Sequence, residues 1–149
     1  MLFQFLLIFH VMSAMLWFGG TMSVPRRVRL ALDSEVGAAR AQLEGLAREG
    51  RMMAGAGFLV LFTGVSLVMV RGGFAGLDVR FHIGLTLTLI WIILGATVVR
   101  STLEKLVQAA QGDAIAPGAS DLGKRLSMFT GIQHALFTIT TVLMLWRMG

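Results

Sequence analysis

Four uninterrupted apolar runs, Leu2 to Val24, Met52 to Val70, Phe81 to Val99 and Met128 to Trp146, dominate the chain. Each is long enough to cross a hydrocarbon layer of about 30 Å at about 1.5 Å of helix rise per residue. Inside a bilayer every backbone N–H and C=O must be satisfied internally, so a spanning segment is either a helix or part of a closed barrel. Barrel strands alternate apolar and polar residues over segments of roughly ten residues, and these runs do not. The predicted fold class is therefore all-α: an integral membrane four-helix up-down bundle, one transmembrane domain over residues 1–149. Composition agrees, since 56% hydrophobic against 14% charged residues does not suit a water-soluble globule.

The first run is read as helix 1 rather than as a signal peptide, because it lacks a basic start, is too long and has no small-residue cleavage pattern before Pro25. The absence of cysteine excludes disulfides, thiolate metal sites and covalent haem attachment, and the absence of tyrosine excludes tyrosyl chemistry.

Charge gives the orientation. Arg26, Arg27, Arg29, Arg40, Arg48 and Arg51 follow the first run, and Arg100, Lys105, Lys124 and Arg125 follow the third. The opposite side carries Arg71, Arg80 and Arg147. The positive-inside rule then puts both long loops in the cytoplasm and both termini outside, as a multi-pass protein of a bacterial inner (plasma) membrane. Membrane lipid is the expected partner of the basic residues, and nucleic acid is not. Between Leu32 and Gly50, the residues Leu32, Val36, Ala39, Leu43 and Leu46 recur at helical spacing, which predicts a cytoplasmic amphipathic helix between helices 1 and 2. Ser101 to Gln111 is expected to continue helix 3, Gly112 to Ser120 to be irregular, and Gly72 to Val79 to be a tight turn.

No Asp, Glu, Lys or Arg lies within the four apolar cores, so histidine is the only ionisable side chain left for chemistry there. His10 and His134 are intramembrane and His82 opens the third helix. Intramembrane ionisable groups suggest function by default, and a neutral imidazole is among the commonest metal ligands. The bland alternative is that each His donates a hydrogen bond that ties helices together. Three histidines on three helices favour a shared cofactor, and haem b is the candidate: it needs imidazoles at similar depth, an apolar slot and basic residues near an interface. Counted from the outer helix ends, His10 is expected roughly 12 Å deep, His134 roughly 18 Å and His82 roughly 2 Å, so His10 with His134 is the better match and His10 with His82 stays open. Arg71 and Arg80 are the propionate candidates, with snorkelling to headgroups as their ordinary role. His10, Ser13, Trp17 and Gly20 share one face of helix 1. Ser127, Thr130, His134, Thr138 and Thr141 form a stripe on helix 4 that is expected to face the interior. Met12, Met15 and Met22 near His10 raise copper handling as an alternative, with flexible packing as the ordinary reading.

The pattern His10, Trp17-Phe18-x-Gly20, Pro25-Arg26 resembles the first helix of the HemJ-type membrane protoporphyrinogen oxidases and the related copper-resistance D (CopD)-like membrane proteins. The likeness extends to chain length, four helices, a basic loop after helix 1 and the Phe81-His82 pair opening helix 3. The resemblance implies a four-helix membrane protein that binds haem b, with His10 and His82 matching the family's histidines and Arg26 its Pro-Arg arginine. Two positions depart from the HemJ pattern. Gly84 stands where that family has a lysine two residues after the helix 3 histidine, and Thr130-Gly131 stands near its Asn-Glu pair. Electron transfer through a histidine-held haem is therefore the leading expectation, making the chain an oxidoreductase or a subunit of one, with other membrane redox subunits or a second copy as partners. Porphyrinogen oxidation, copper handling and a cofactor-free accessory role are the alternatives.

Overall fold

The computed structural model describes residues 1–145; Trp146, which closes the fourth apolar run, and the outer Arg147 lie beyond them. Among the described residues every regular element is helical: α1 (Leu2–Met22), α2 (Val24–Leu32), α3 (Val36–Val70), a 3-10 turn (Phe74–Gly76), α4 (Val79–Leu94), a π-helical turn (Gly95–Val99), α5 (Arg100–Ala109) and α6 (Ala119–Leu145). Four helical stretches are long and apolar enough to cross a membrane: Leu2–Leu32, Val36–Val70, Val79–Ala109 and Ala119–Leu145.

Local chemistry sets the breaks. Pro25 sits in the first turn of α2, where its missing N–H is harmless and its fixed φ favours a new helix, so α1 gives way to α2 at Ser23. At the end of α3, Gly72 and Gly73 adopt positive φ of 104° and 87°. Their N–H groups reach back to Met69 O at 3.2 Å and Val68 O at 3.0 Å, the paired bonds of a Schellman stop. Asp78 caps α4 by accepting from Arg80 N at 3.0 Å. The irregular segment after α5 and the outer turn fall where Gly and Pro predict them.

The amphipathic segment is not a separate helix. Leu32 ends α2, the chain turns at Asp33–Glu35, and residues 36–50 are the first turns of the 35-residue α3, which runs on into the apolar run. Of its apolar set Ala39, Leu43 and Leu46 are buried, and Leu43 and Leu46 pack with Val28, Ala31, Leu103, Leu106, Ala110, Ala119 and Leu126 in a core at the basic-loop end. At about 1.5 Å per residue α3 is about 52 Å long, roughly 20 Å more than the hydrocarbon layer. That core therefore lies on the part of the helices that extends past the apolar runs. Around the runs themselves large apolar side chains face outward, as with Met15 at 70% and Phe62 at 69% exposure, where lipid is their solvent. The interior there is a smaller cluster of Trp17, Ala56, Val60 and Trp91, with Phe18 and Phe137 against it.

Candidate functional site

α1 and α3 pack along their length, and His10 lies in the seam between them. Its Nδ1 is 3.0 Å from Thr63 Oγ1. The Thr63 hydroxyl donates to Leu59 O at 2.6 Å, so its oxygen accepts from the imidazole and the ring proton sits on Nδ1. The imidazole also reaches the Val60 carbonyl, and no side chain among the described residues bonds Nε2, at the tip of the ring. Space for the ring comes from Gly64, where a Cβ would stand 3.2 Å from His10 Cε1. The predicted face of α1 holds: Ser13 and Trp17 are buried and Gly20 is half-buried, with Met53 over it.

His134 is held differently. Its Nε2 is 3.2 Å from Thr21 Oγ1, whose own proton goes to Trp17 O at 2.9 Å. That bond takes up the tip of the ring, and the imidazole also bonds the carbonyls of Thr130 and Phe18. Phe18 meets the imidazole edge-on with centroids 5.1 Å apart, and Trp17 is at 6.1 Å. His134 thus ties α6 to α1. A Thr21→Val variant is expected to lose only about 0.6 kcal/mol of helix association, read as a small fall in unfolding midpoint.

The three histidines are not brought together. His134 stands level with residues 18–21 of α1, about 12–16 Å along the helix axis from His10. The depth match between His10 and His134 fails, since counting from helix ends puts them about 6 Å apart and the contacts put them about twice as far. His82 is near the outer end, but it is exposed and turned away from the buried line of Gly84, Thr88 and Trp91, with Phe74 as its ring neighbour at 6.5 Å. Among the described residues there is no group of three His, Asp or Glu side chains able to hold a metal ion. Met12, Met15 and Met22 are exposed, while His10 leans to Thr63.

Of the arginines, Arg71 lies 4.6 Å over the Phe3 ring, placing its charge about 10 Å from His10 toward the N-terminal end of α1. Arg80 is 3.4 Å from Asp78 and 5.2 Å over Phe81. Arg26 is exposed on α2 at the opposite, basic-loop end, beside the Arg27–Glu49 ion pair. Among the described residues a haem would find one imidazole, His10, with Arg71 toward the N-terminal end of α1, and no second imidazole level with it.

The helix 4 stripe is half right. Thr130 is buried and His134 and Ser127 half-buried, but Thr138 and Thr141 are exposed and satisfy their hydroxyls on their own helix, at His134 O and Phe137 O, both 2.9 Å away. Among the buried polar residues missed by sequence reasoning is Gln133, whose Nε2 donates to Trp91 O at 2.7 Å. Gly95 makes room for it, since a Cβ there would come within 2.7 Å of that nitrogen, and the π-helical turn begins at the same residue. No protein-family model, curated protein or solved structure matches the chain.

Proposed function

We propose that the chain is an integral membrane protein that holds a b-type haem through His10 and passes electrons, alone or as the small subunit of a membrane redox complex. The observation that carries this reading is the His10–Thr63 pair. A neutral imidazole whose Nδ1–H is donated to a fixed acceptor, and whose Nε2 lone pair is left over, is the arrangement that iron ligation uses. When bound, the haem supplies the one-electron chemistry. The chain's own part is to fix the imidazole through Thr63, to leave the ring space at Gly64, and to offer the Arg71 guanidinium to carboxylates at the outer end. This chain would supply one imidazole, so a second iron ligand would come from a partner subunit at the depth of His10.

The ten basic residues on one side support an up-down bundle with its long loops in the cytoplasm and its termini outside, in the inner membrane of a bacterium. Electron transfer is favoured over porphyrinogen oxidation by the state of position 84. The HemJ-type lysine position is here a buried glycine, which offers no basic group to a porphyrinogen's acid side chains. A cofactor-free accessory subunit is the second reading, favoured by His134, whose hydrogen bond to Thr21 already gives that histidine a structural role.

The deciding experiment is an absorption spectrum of the detergent-solubilised protein, oxidised and dithionite-reduced, with haem quantified as the pyridine haemochrome. A reduced α-band with close to stoichiometric haem b is the expected result. A colourless preparation from haem-replete cells overturns the haem reading in favour of the accessory subunit.

A further inference from the structure

A cavity of about 440 Å³ lies in the seam between α3 and the rod made by α4, the π-helical turn and α5, away from His10. α3 packs along α1 and touches α4 only sparsely, so this seam stays open toward lipid. It meets the lipid-facing surface between Phe58 on α3 and Ala96 on the facing rod, both exposed. Small residues keep its basic-loop end wide. A Cβ on Gly50 would meet nothing nearer than Leu103 Cδ2 at 3.8 Å, and Ala54, one turn further along α3, is exposed.

Charge at that end narrows the occupant. Among the described residues four charged side chains line the cavity: Glu49 and Arg51 on α3, Arg100 and Glu104 on α5. Glu49 is engaged by both terminal nitrogens of Arg27, which comes from α2, and Glu104 accepts from Arg100 Nε at 2.8 Å. Arg51 is exposed and has no ion pair or hydrogen bond with any described residue, so its charge is uncompensated. Arg100 gives Glu104 only its Nε, which leaves its terminal nitrogens for a further acceptor. Depth agrees with this. Arg51 stands immediately before the second apolar run and Arg100 immediately after the third, so both lie at one boundary of the hydrocarbon layer, where lipid phosphates are. From there the seam runs about 10 Å along α3 to Phe58, inside the apolar run. Arg48, exposed one turn earlier on α3, is off the cavity and has only headgroups and water to meet, whereas Arg51 has an apolar seam beside it.

We propose that this cavity holds one anionic glycerophospholipid of the basic-loop leaflet. Its phosphodiester accepts from the Arg51 guanidinium, with Arg100 across the mouth, and one acyl chain lies in the seam past Ala54 toward Phe58 and Ala96. A soluble phosphate would leave the apolar seam unfilled. A zwitterionic lipid would bring its own cation to a mouth that already carries surplus positive charge. The site does not depend on haem at His10, and its test does not read haem.

The test is native mass spectrometry of the full chain, released from detergent micelles to which dioleoyl phosphatidylglycerol or dioleoyl phosphatidylcholine has been added. One phosphatidylglycerol per chain is expected to be retained, about tenfold more tightly than phosphatidylcholine, and soluble glycerol phosphate is expected not to displace it. Arg51→Gln is expected to remove that preference, and Ala96→Phe, which fills the seam, to weaken both lipids about tenfold. Arg48→Gln, the same loss of charge away from the cavity, is expected to bind like the parent. Arg51→Gln, at an exposed position, decides the matter if Ala96→Phe fails to fold. Equal retention of the two lipids, equal losses in Arg51→Gln and Arg48→Gln, parent-like binding by a folded Ala96→Phe, or displacement by glycerol phosphate would each overturn the proposal.

Discussion

A His10→Ala variant is expected to insert and fold like the parent and to purify with about a tenth or less of its haem. The imidazole makes one side-chain hydrogen bond, to Thr63, in a helix whose other neighbours are mostly apolar, so its loss removes the proposed iron ligand without removing what embeds α1. Thr63→Val is the companion variant. It keeps His10 but takes away the acceptor that holds the Nδ1–H tautomer, and haem affinity is expected to fall about 10–100-fold. Haem titration into the apoprotein measures both. His134→Ala, by contrast, is expected to retain haem, because Thr21 occupies the ring tip there. Undiminished haem in His10→Ala would remove the basis of the assignment.

The second large effect separates the two cores. Leu106, fully buried at the basic-loop end, is expected to cost about 2–5 kcal/mol when replaced by alanine. The same change at Leu16, 59% exposed on the apolar part of α1, is expected to cost less than about 1 kcal/mol. Chemically the substitutions are identical, but their alternatives differ. Where helices extend past the apolar runs, an unfolded leucine meets water, and burial is worth about 25 cal/mol per Å². Within the runs it meets lipid tails as apolar as itself, so association rests on close packing and hydrogen bonds. Unfolding midpoints in one detergent, for both variants and the parent, measure the contrast. Equal destabilisation would mean that the two ends share one solvent.

Much of this was legible in residue spacing. The four apolar runs became the long helices, Ala39, Leu43 and Leu46 became buried, and Ser13 and Trp17 share the inward face with His10. Spacing assigns a side chain to a face of its own helix. It carries no information on how far one helix is shifted along another, and so the level of His134 relative to His10 was misjudged from helix ends. Polarity also misled on α6, because a threonine can satisfy its hydroxyl on the carbonyl one turn back and then face lipid, as Thr138 and Thr141 do. Gln133 had a signal that went unread: it lies three residues after Thr130, on the line that continues to Thr140, and it is the one amide in that apolar run. The bond from His10 to Thr63 and the π-helical turn opposite Gln133 depend on tertiary contacts that a single sequence does not encode locally.

The unbroken course of α3 from Val36 to Val70 gives the two ends of the molecule a common mechanical fate. Leu43 and Leu46 anchor one end in the basic-loop core, and Thr63, which orients His10, stands toward the other. Thr63 lies seventeen residues beyond Leu46, about 26 Å along the rod, so a tilt of about 5° about the core moves it by roughly 2 Å. That is enough to break the 3.0 Å bond with His10, so a partner gripping the basic-loop core would act on the imidazole at a distance, as a hand on a tiller acts on the rudder.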